Sequence, residues 1–131
     1  MEELPVILVA EDEELIQGTV DDALTEAGFG AAIAASGEEV VTLLQGNRDG
    51  YRALVIDIRL RGRMNGWETA RAVRKINPTF PIVYMTGASA DEWPSMGVPN
   101  SILLQKPFAP AQLVTAVSQL LNAGSLQPPS A

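Results

Sequence analysis

Four short aliphatic runs punctuate the chain: Val6-Ile7-Leu8-Val9, Ala53-Leu54-Val55-Ile56, Ile82-Val83-Tyr84-Met85 and Ser101-Ile102-Leu103-Leu104, each leading into polar residues. Runs of this length without polar alternation are the pattern of strands buried on both faces, as in a parallel sheet covered by helices. Ala31-Ala32-Ile33-Ala34 is a weaker fifth candidate. Between the runs the period lengthens to that of amphipathic helices. Glu14 to Ala27 sets Leu15, Thr19, Ala23 and Ala27 along one side and stops at Gly28. Ser36 can cap a helix that turns Val40, Val41 and Leu44 inward, with Glu39 placed to complete a capping box. Gly66 to Ile76 puts Trp67, Ala70, Val73 and Ile76 on one face and stops before Asn77-Pro78; Trp67 is expected to pack on the sheet. Pro110 to Asn122 carries Leu113, Val117, Leu120 and Leu121. Ala88 to Met96 contains Pro94, which removes a backbone donor, so a helix there is short or distorted.

Strand and helix alternate five times, which predicts right-handed crossovers and an α/β fold around a doubly wound parallel sheet. The chain has 131 residues, a length that suits one self-supporting domain. That domain is expected over 1–122, with 123–131, which holds Gly, two Ser and two Pro, as a flexible tail.

Composition narrows the chemistry. The absence of Cys and His removes disulfides, thiolate or imidazole metal sites, Ser-His-Asp catalysis and any phosphohistidine on the chain itself. A net charge of −7 argues against direct binding of nucleic acid. There is no basic segment leading an apolar stretch, and so neither a signal peptide nor a membrane span is expected. Charge is uneven: residues 1–50 hold twelve acids and one base, whereas 51–131 hold four acids and eight bases, six of them between Arg59 and Lys75. Folding the halves together creates an acidic pole suited to a cation. The basic stretch reads as a solvated helix face, or else as a docking surface for an acidic partner.

In a doubly wound sheet, ligands bind beyond the carboxyl ends of the strands. Counting all five candidates in chain order, Glu11 and Asp12 follow the first run, Asp57 the third, Thr86 the fourth, and Lys106-Pro107 the last. Three converging carboxylates need a compensating charge, because like charges raise each other's pKa. Oxygen ligands alone favour Mg²⁺, with Mn²⁺ as an alternative. Lys106 can pair with a carboxylate or a phosphoryl oxygen, and Thr86 can donate a hydrogen bond to the same group. The chemistry implied is phosphoryl transfer to Asp57 as nucleophile. Each piece has a plainer reading on its own. Glu11-Asp12-Glu13-Glu14 suits a helix N-terminus, and the others suit strand-ending turns. It is their placement at equivalent ends of one sheet that joins them.

Val6-Ile7-Leu8-Val9-Ala10-Glu11-Asp12-Glu13, Leu54-Val55-Ile56-Asp57-Ile58-Arg59, Met64-Asn65-Gly66, Tyr84-Met85-Thr86-Gly87 and Lys106-Pro107-Phe108 together resemble the motifs of CheY-like response regulator receiver domains. The resemblance covers about Pro5 to Asn122 and implies a flavodoxin-like (βα)5 fold with strand order 2-1-3-4-5. It implies that Asp57 accepts a phosphoryl group from the phosphohistidine of a sensor histidine kinase or phosphotransfer protein. Glu11, Asp12, Asp57 and the Arg59 backbone carbonyl would surround Mg²⁺, while Thr86 and Lys106 bind the acyl phosphate. Gly87 would leave room for phosphoryl access, Arg59 and Ala88 would influence phosphate loss, and Pro107 would follow a cis peptide bond that orients Lys106.

Four departures from the family pattern bear on the mechanism. Leu103 stands where a switch aromatic is usual, and Arg61 where Pro is common, in a loop about one residue longer. Pro94 makes the fourth helix atypical, and Glu11 replaces the commoner Asp. With Leu103 in the switch position, Thr86 is expected to repack the 87–99 segment directly. The implied protein is a stand-alone cytoplasmic receiver, monomeric or weakly dimeric, that signals by binding an unknown downstream protein and turns over no metabolite. The competing readings are a receiver-like binding module that takes no phosphate, a small Mg²⁺-dependent phosphatase with an Asp nucleophile, and a flavodoxin-type cofactor domain. The acids after the first run would repel the phosphate of the last.

Overall fold

The computed structural model describes residues 4–125. Five strands, β1 (Val6–Ala10), β2 (Gly30–Ala34), β3 (Ala53–Asp57), β4 (Ile82–Thr86) and β5 (Ser101–Gln105), form one parallel sheet in the order β2-β1-β3-β4-β5. Helices α1 (Glu14–Glu26), α2 (Gly37–Gly46), α3 (Gly66–Ile76) and α5 (Pro110–Ser125) cover it. Between β4 and β5 a single 3₁₀ turn, Ala90–Glu92, leads into the four-residue α4 (Trp93–Met96), with Pro94 in its first turn. This is the short element that Pro94 predicts. The expected tail lies outside the described residues from 126 onward.

The aliphatic runs are continuous because alternate side chains serve two cores. Leu8, Ala10, Leu54, Ile56, Ile82 and Tyr84 pack with Val40, Leu44, Trp67, Ala70 and Val73 on the α2–α3 side. Ile7, Val9, Val55, Val83 and Met85 pack with Val20, Ala23, Leu24, Leu113 and Val117 on the α1–α5 side. Trp67 is buried against the Tyr84 ring, with centroids 4.8 Å apart at 57°.

Helix starts follow their caps. Asn65 and Glu68 form a reciprocal capping box at α3, and Arg74 and Lys75 in its last turn suit the negative end of the dipole. At α2 the Ser36 hydroxyl accepts from Glu39 N–H (3.2 Å), while Glu39 reaches one residue further back, to Ala35 N–H (3.3 Å). The buried face of α1 differs from the expected one. It runs through Val20, Ala23 and Leu24, whereas Leu15 is 80% exposed and Thr19 is also exposed. Thr19 satisfies its hydroxyl within the helix, on Leu15 C=O at 3.0 Å, and so needs no buried partner. In a helix this weakly amphipathic, the aliphatic Val20 and Leu24 set the phase.

Register fixes the rim. β1 lies between β2 and β3, with Val9 opposite Ile33 and Val55, so the reversal of strand order falls at β1. Asp57 pairs with Met85 and Thr86 with Gln105, so the carboxyl ends of β1, β3, β4 and β5 open on one crevice.

Candidate functional site

Glu11 and Asp12 leave β1, Asp57 ends β3, Thr86 ends β4 and Lys106 follows β5. The structure brings the three acids and Lys106 together, and Thr86 adjoins them through its carbonyl, which accepts from Lys106 N–H at 2.8 Å. Glu11, Asp12 and Asp57 each offer a carboxylate oxygen, all within 4.8 Å of one another. Glu11 is fully buried; its Oε2 accepts from the N–H groups of Asp12 and Glu13, both at 3.1 Å, and its Oε1 accepts from Lys106 Nζ at 3.1 Å. The same ammonium lies 3.3 Å from Asp57 Oδ2. Asp57 Oδ1 accepts from Arg59 N–H at 3.1 Å, which fixes the carboxylate at the end of its strand. The Lys106–Pro107 peptide is cis, as the resemblance implies.

Burial, reinforced by the charge of Asp57, holds the Glu11 carboxyl above the ordinary carboxylate range, despite the Glu13 amide and Lys106. Burial alone would depress the Lys106 ammonium, but its hydrogen bond to Glu11 and the charges of Asp57 and Glu11 outweigh that and raise it. Lys106 is thus a firmly charged cation shared by two acids. The site is rich in anionic oxygen and open at its rim, where Asp12 is partly exposed. An all-oxygen donor set of this spacing fits a hard divalent ion, which takes carboxylates and keeps several waters.

Thr86 is buried, and its Oγ1 accepts from Ser89 N–H (2.8 Å) and Ala88 N–H (3.3 Å), leaving the hydroxyl proton free to donate. Gly87 and Ala88 are exposed, and the space above Gly87 is open. Leu103 lies opposite Tyr84 in the sheet and packs, half-buried, on the α2–α3 core, as do Trp93 and Met96. The loop from β4 is tied down elsewhere: Tyr84 Oη accepts from Val98 N–H at 3.1 Å, and Trp93 Nε1 donates to Ser101 Oγ at 3.0 Å.

Arg61 and Glu38, outside the sequence motifs, also shape the crevice. Asp12 Oδ2 accepts from Arg61 N–H at 3.0 Å, and Arg61 Nε lies 3.7 Å from the same oxygen. Glu38, in the first turn of α2, accepts from Met64 N–H at 3.0 Å. Its sequence signal was that of a dipole-complementing acid only. Gly66 opens α3 against the end of β3, where its N–H donates to Ile58 C=O at 2.8 Å. A Cβ there would lie 2.5 Å from Ile58 Cα, so the helix start admits no side chain.

Comparison with known proteins gives one family. The model "Response regulator receiver domain" matches residues 7–118. A response regulator receiver protein from Sinorhizobium medicae is 45% identical, with a TM-score of 0.88 over 92% of this chain and 97% of that one. A crystal structure of a putative response regulator from Chloroflexus aurantiacus is 28% identical, with a TM-score of 0.81 over 92% of this chain and 99% of that one. The transcriptional regulatory protein CusR of Escherichia coli is 32% identical over 91% of this chain. The chain spans about half the length of that curated relative, 52%. Among the described residues no helix is long and apolar enough to cross a membrane.

Proposed function

The chain belongs to the response regulator receiver domain family of two-component systems, and from that premise we propose that it is a phosphoacceptor switch with Asp57 as the nucleophile. The observation that carries this is the triad of carboxylate oxygens within 4.8 Å of one another, with Lys106 held against two of the acids. Glu11, Asp12, Asp57 and the Arg59 carbonyl would hold Mg²⁺, or Mn²⁺ in its place. When bound, the ion neutralises charge on the transferring phosphoryl oxygens.

The donor is the phosphohistidine of a sensor kinase or phosphotransfer protein. An Asp57 oxygen forms the new P–O bond as the P–N bond breaks, and the imidazole nitrogen leaves with the electron pair. Lys106 then moves its charge from Asp57 to the phosphoryl group, and the free Thr86 hydroxyl proton turns onto it. Drawing Thr86 away disturbs the Ala88 and Ser89 amides that it holds, and so repacks the 87–99 segment against Leu103. A downstream protein would read that surface. We assign this role to a stand-alone cytoplasmic receiver, monomeric or weakly dimeric, that binds no nucleic acid directly and assists only its own phosphorylation and dephosphorylation.

Intact mass after incubation with Mg²⁺ and acetyl phosphate is the test. A single phosphoryl adduct is expected, absent in Asp57→Asn and absent with EDTA. A wild-type chain that gains no adduct and binds no beryllofluoride would instead be a phosphate-independent binding module.

A further inference from the structure

Lys106 compensates two of the three acids, Glu11 and Asp57, but makes no ion pair with Asp12. A different cation serves Asp12. The Arg61 backbone N–H and guanidinium Nε both face Asp12 Oδ2, at 3.0 and 3.7 Å. Resting on the metal-dependent reading above, we propose that Arg61 is the resident counter-ion of the metal half of the crevice, and that an arriving Mg²⁺ must displace it from Asp12.

The exposures of the two partners support this assignment. The Asp12 side chain is 19% exposed and that of Arg61 is 89% exposed, so the acid belongs to the crevice while the cation sits on its rim. The guanidinium can therefore swing into water at little desolvation cost, unlike Lys106, whose side chain is 21% exposed. Whichever Asp12 oxygen the ion takes, a cation already close to that carboxylate repels it.

The loop is built to hold Arg61 within reach. The chain bends at Gly62, where φ is +114°, a region open to glycine. It is then pinned at Met64, whose N–H donates to Glu38 Oε1 at 3.0 Å. Glu38 Oε2 lies 2.8 Å from the place a Cβ on Gly62 would occupy, so the acid closes over the turn. With the backbone fixed by Asp12 at one end and Glu38 at the other, the Arg61 side chain is the part left to move. Its release would add a free guanidinium beside the exposed Arg59 and Arg63, so metal occupancy would be legible as charge at the crevice mouth.

The experiment is titration calorimetry of Mg²⁺ into the metal-depleted full chain, with no phosphodonor present. Arg61→Ala keeps the backbone bond to Asp12 and removes only the guanidinium. It is expected to tighten Mg²⁺ binding about two- to fivefold, the range of an exposed ion pair, with the gain shrinking as salt rises. Arg61→Lys keeps the charge and stays near wild type. Arg63→Ala removes an equal charge from the same loop without a bond to Asp12, and changes affinity less than Arg61→Ala. Equal affinity in wild type and Arg61→Ala, or weaker binding in the variant, overturns the counter-ion role while leaving the metal site intact. No Mg²⁺ binding by either protein overturns the metal-dependent reading and this inference with it.

Discussion

Substituting Gly66 by Ala tests how closely α3 docks on the strand that carries the acceptor. The added Cβ would lie 2.5 Å from Ile58 Cα and 2.6 Å from the Asp57 carbonyl oxygen. Carbon–carbon contacts settle at about 3.5–4.0 Å, so the shortfall is roughly 1 Å. Both obstructing atoms are backbone, and no rotamer change relieves them. Nor can the segments part freely, since Gly66 N–H is bonded to Ile58 C=O at 2.8 Å. Overpacking of this kind costs about 1–3 kcal/mol. Ala returns at most about 1 kcal/mol of helix propensity, and less at the first helical position. The expected result is a net loss of about 1–2 kcal/mol in urea unfolding, from a lower midpoint at unchanged slope. The displaced backbone belongs to Asp57 itself, and a misplacement near 1 Å can slow phosphoryl transfer about 100-fold. Denaturation curves and the time course of the acetyl phosphate adduct measure the two effects separately. A variant as stable as wild type and phosphorylated at the same rate would refute the tight docking of α3 on β3.

Two further predictions concern β4, the strand next to the one that carries the acceptor. Thr86→Val removes the acceptor for the Ser89 N–H, at a residue only 6% exposed, and stranding a buried donor costs about 1–3 kcal/mol. Hydrogen exchange should quicken at Ala88 and Ser89 more than in β3; a uniform change across both would count against a local role for the hydroxyl. Burial raises the Tyr84 phenol above its ordinary 10.0, and the Val98 amide and the arginines offset this only in part. The unfolded chain therefore ionises first, so stability linked to Tyr84 is complete below about pH 10 and is lost as pH rises toward the folded value. Tyr84→Phe should lose about 1 kcal/mol at neutral pH, with the Val98 bond, yet fall less steeply above pH 10; parallel alkaline limbs in urea midpoints would sink the claim.

Much of the architecture was legible locally. Unbroken aliphatic runs specify strands buried on both sides, because alternate residues must satisfy two cores rather than a core and water. Period and caps placed the helices, and Pro94 announced the reduced α4. Glu11, Asp12, Asp57, Thr86 and Lys106 were recognisable because each directly follows, or ends, a strand whose direction the alternation had already fixed. The strands themselves ran on into polar residues, to Asp57, Thr86 and Gln105, since backbone pairing with a neighbour, not side-chain polarity, decides where a strand stops.

What the sequence left undecided depended on surfaces that meet only after folding. The phase of α1 was set by which side of a faintly amphipathic helix found the sheet, and that left Leu15 in water. Asp12 and Arg61 are 49 positions apart, and Glu38 and Met64 are 26 apart. Tyr84 reaches the Val98 amide across a loop. None of these pairs leaves a periodic trace, because a polar contact between two loops requires nothing of their neighbours' hydrophobicity. The residue types that perform the chemistry were therefore set by the sequence. Which cation compensates which carboxylate was decided by the crossovers that bring those loops to one rim.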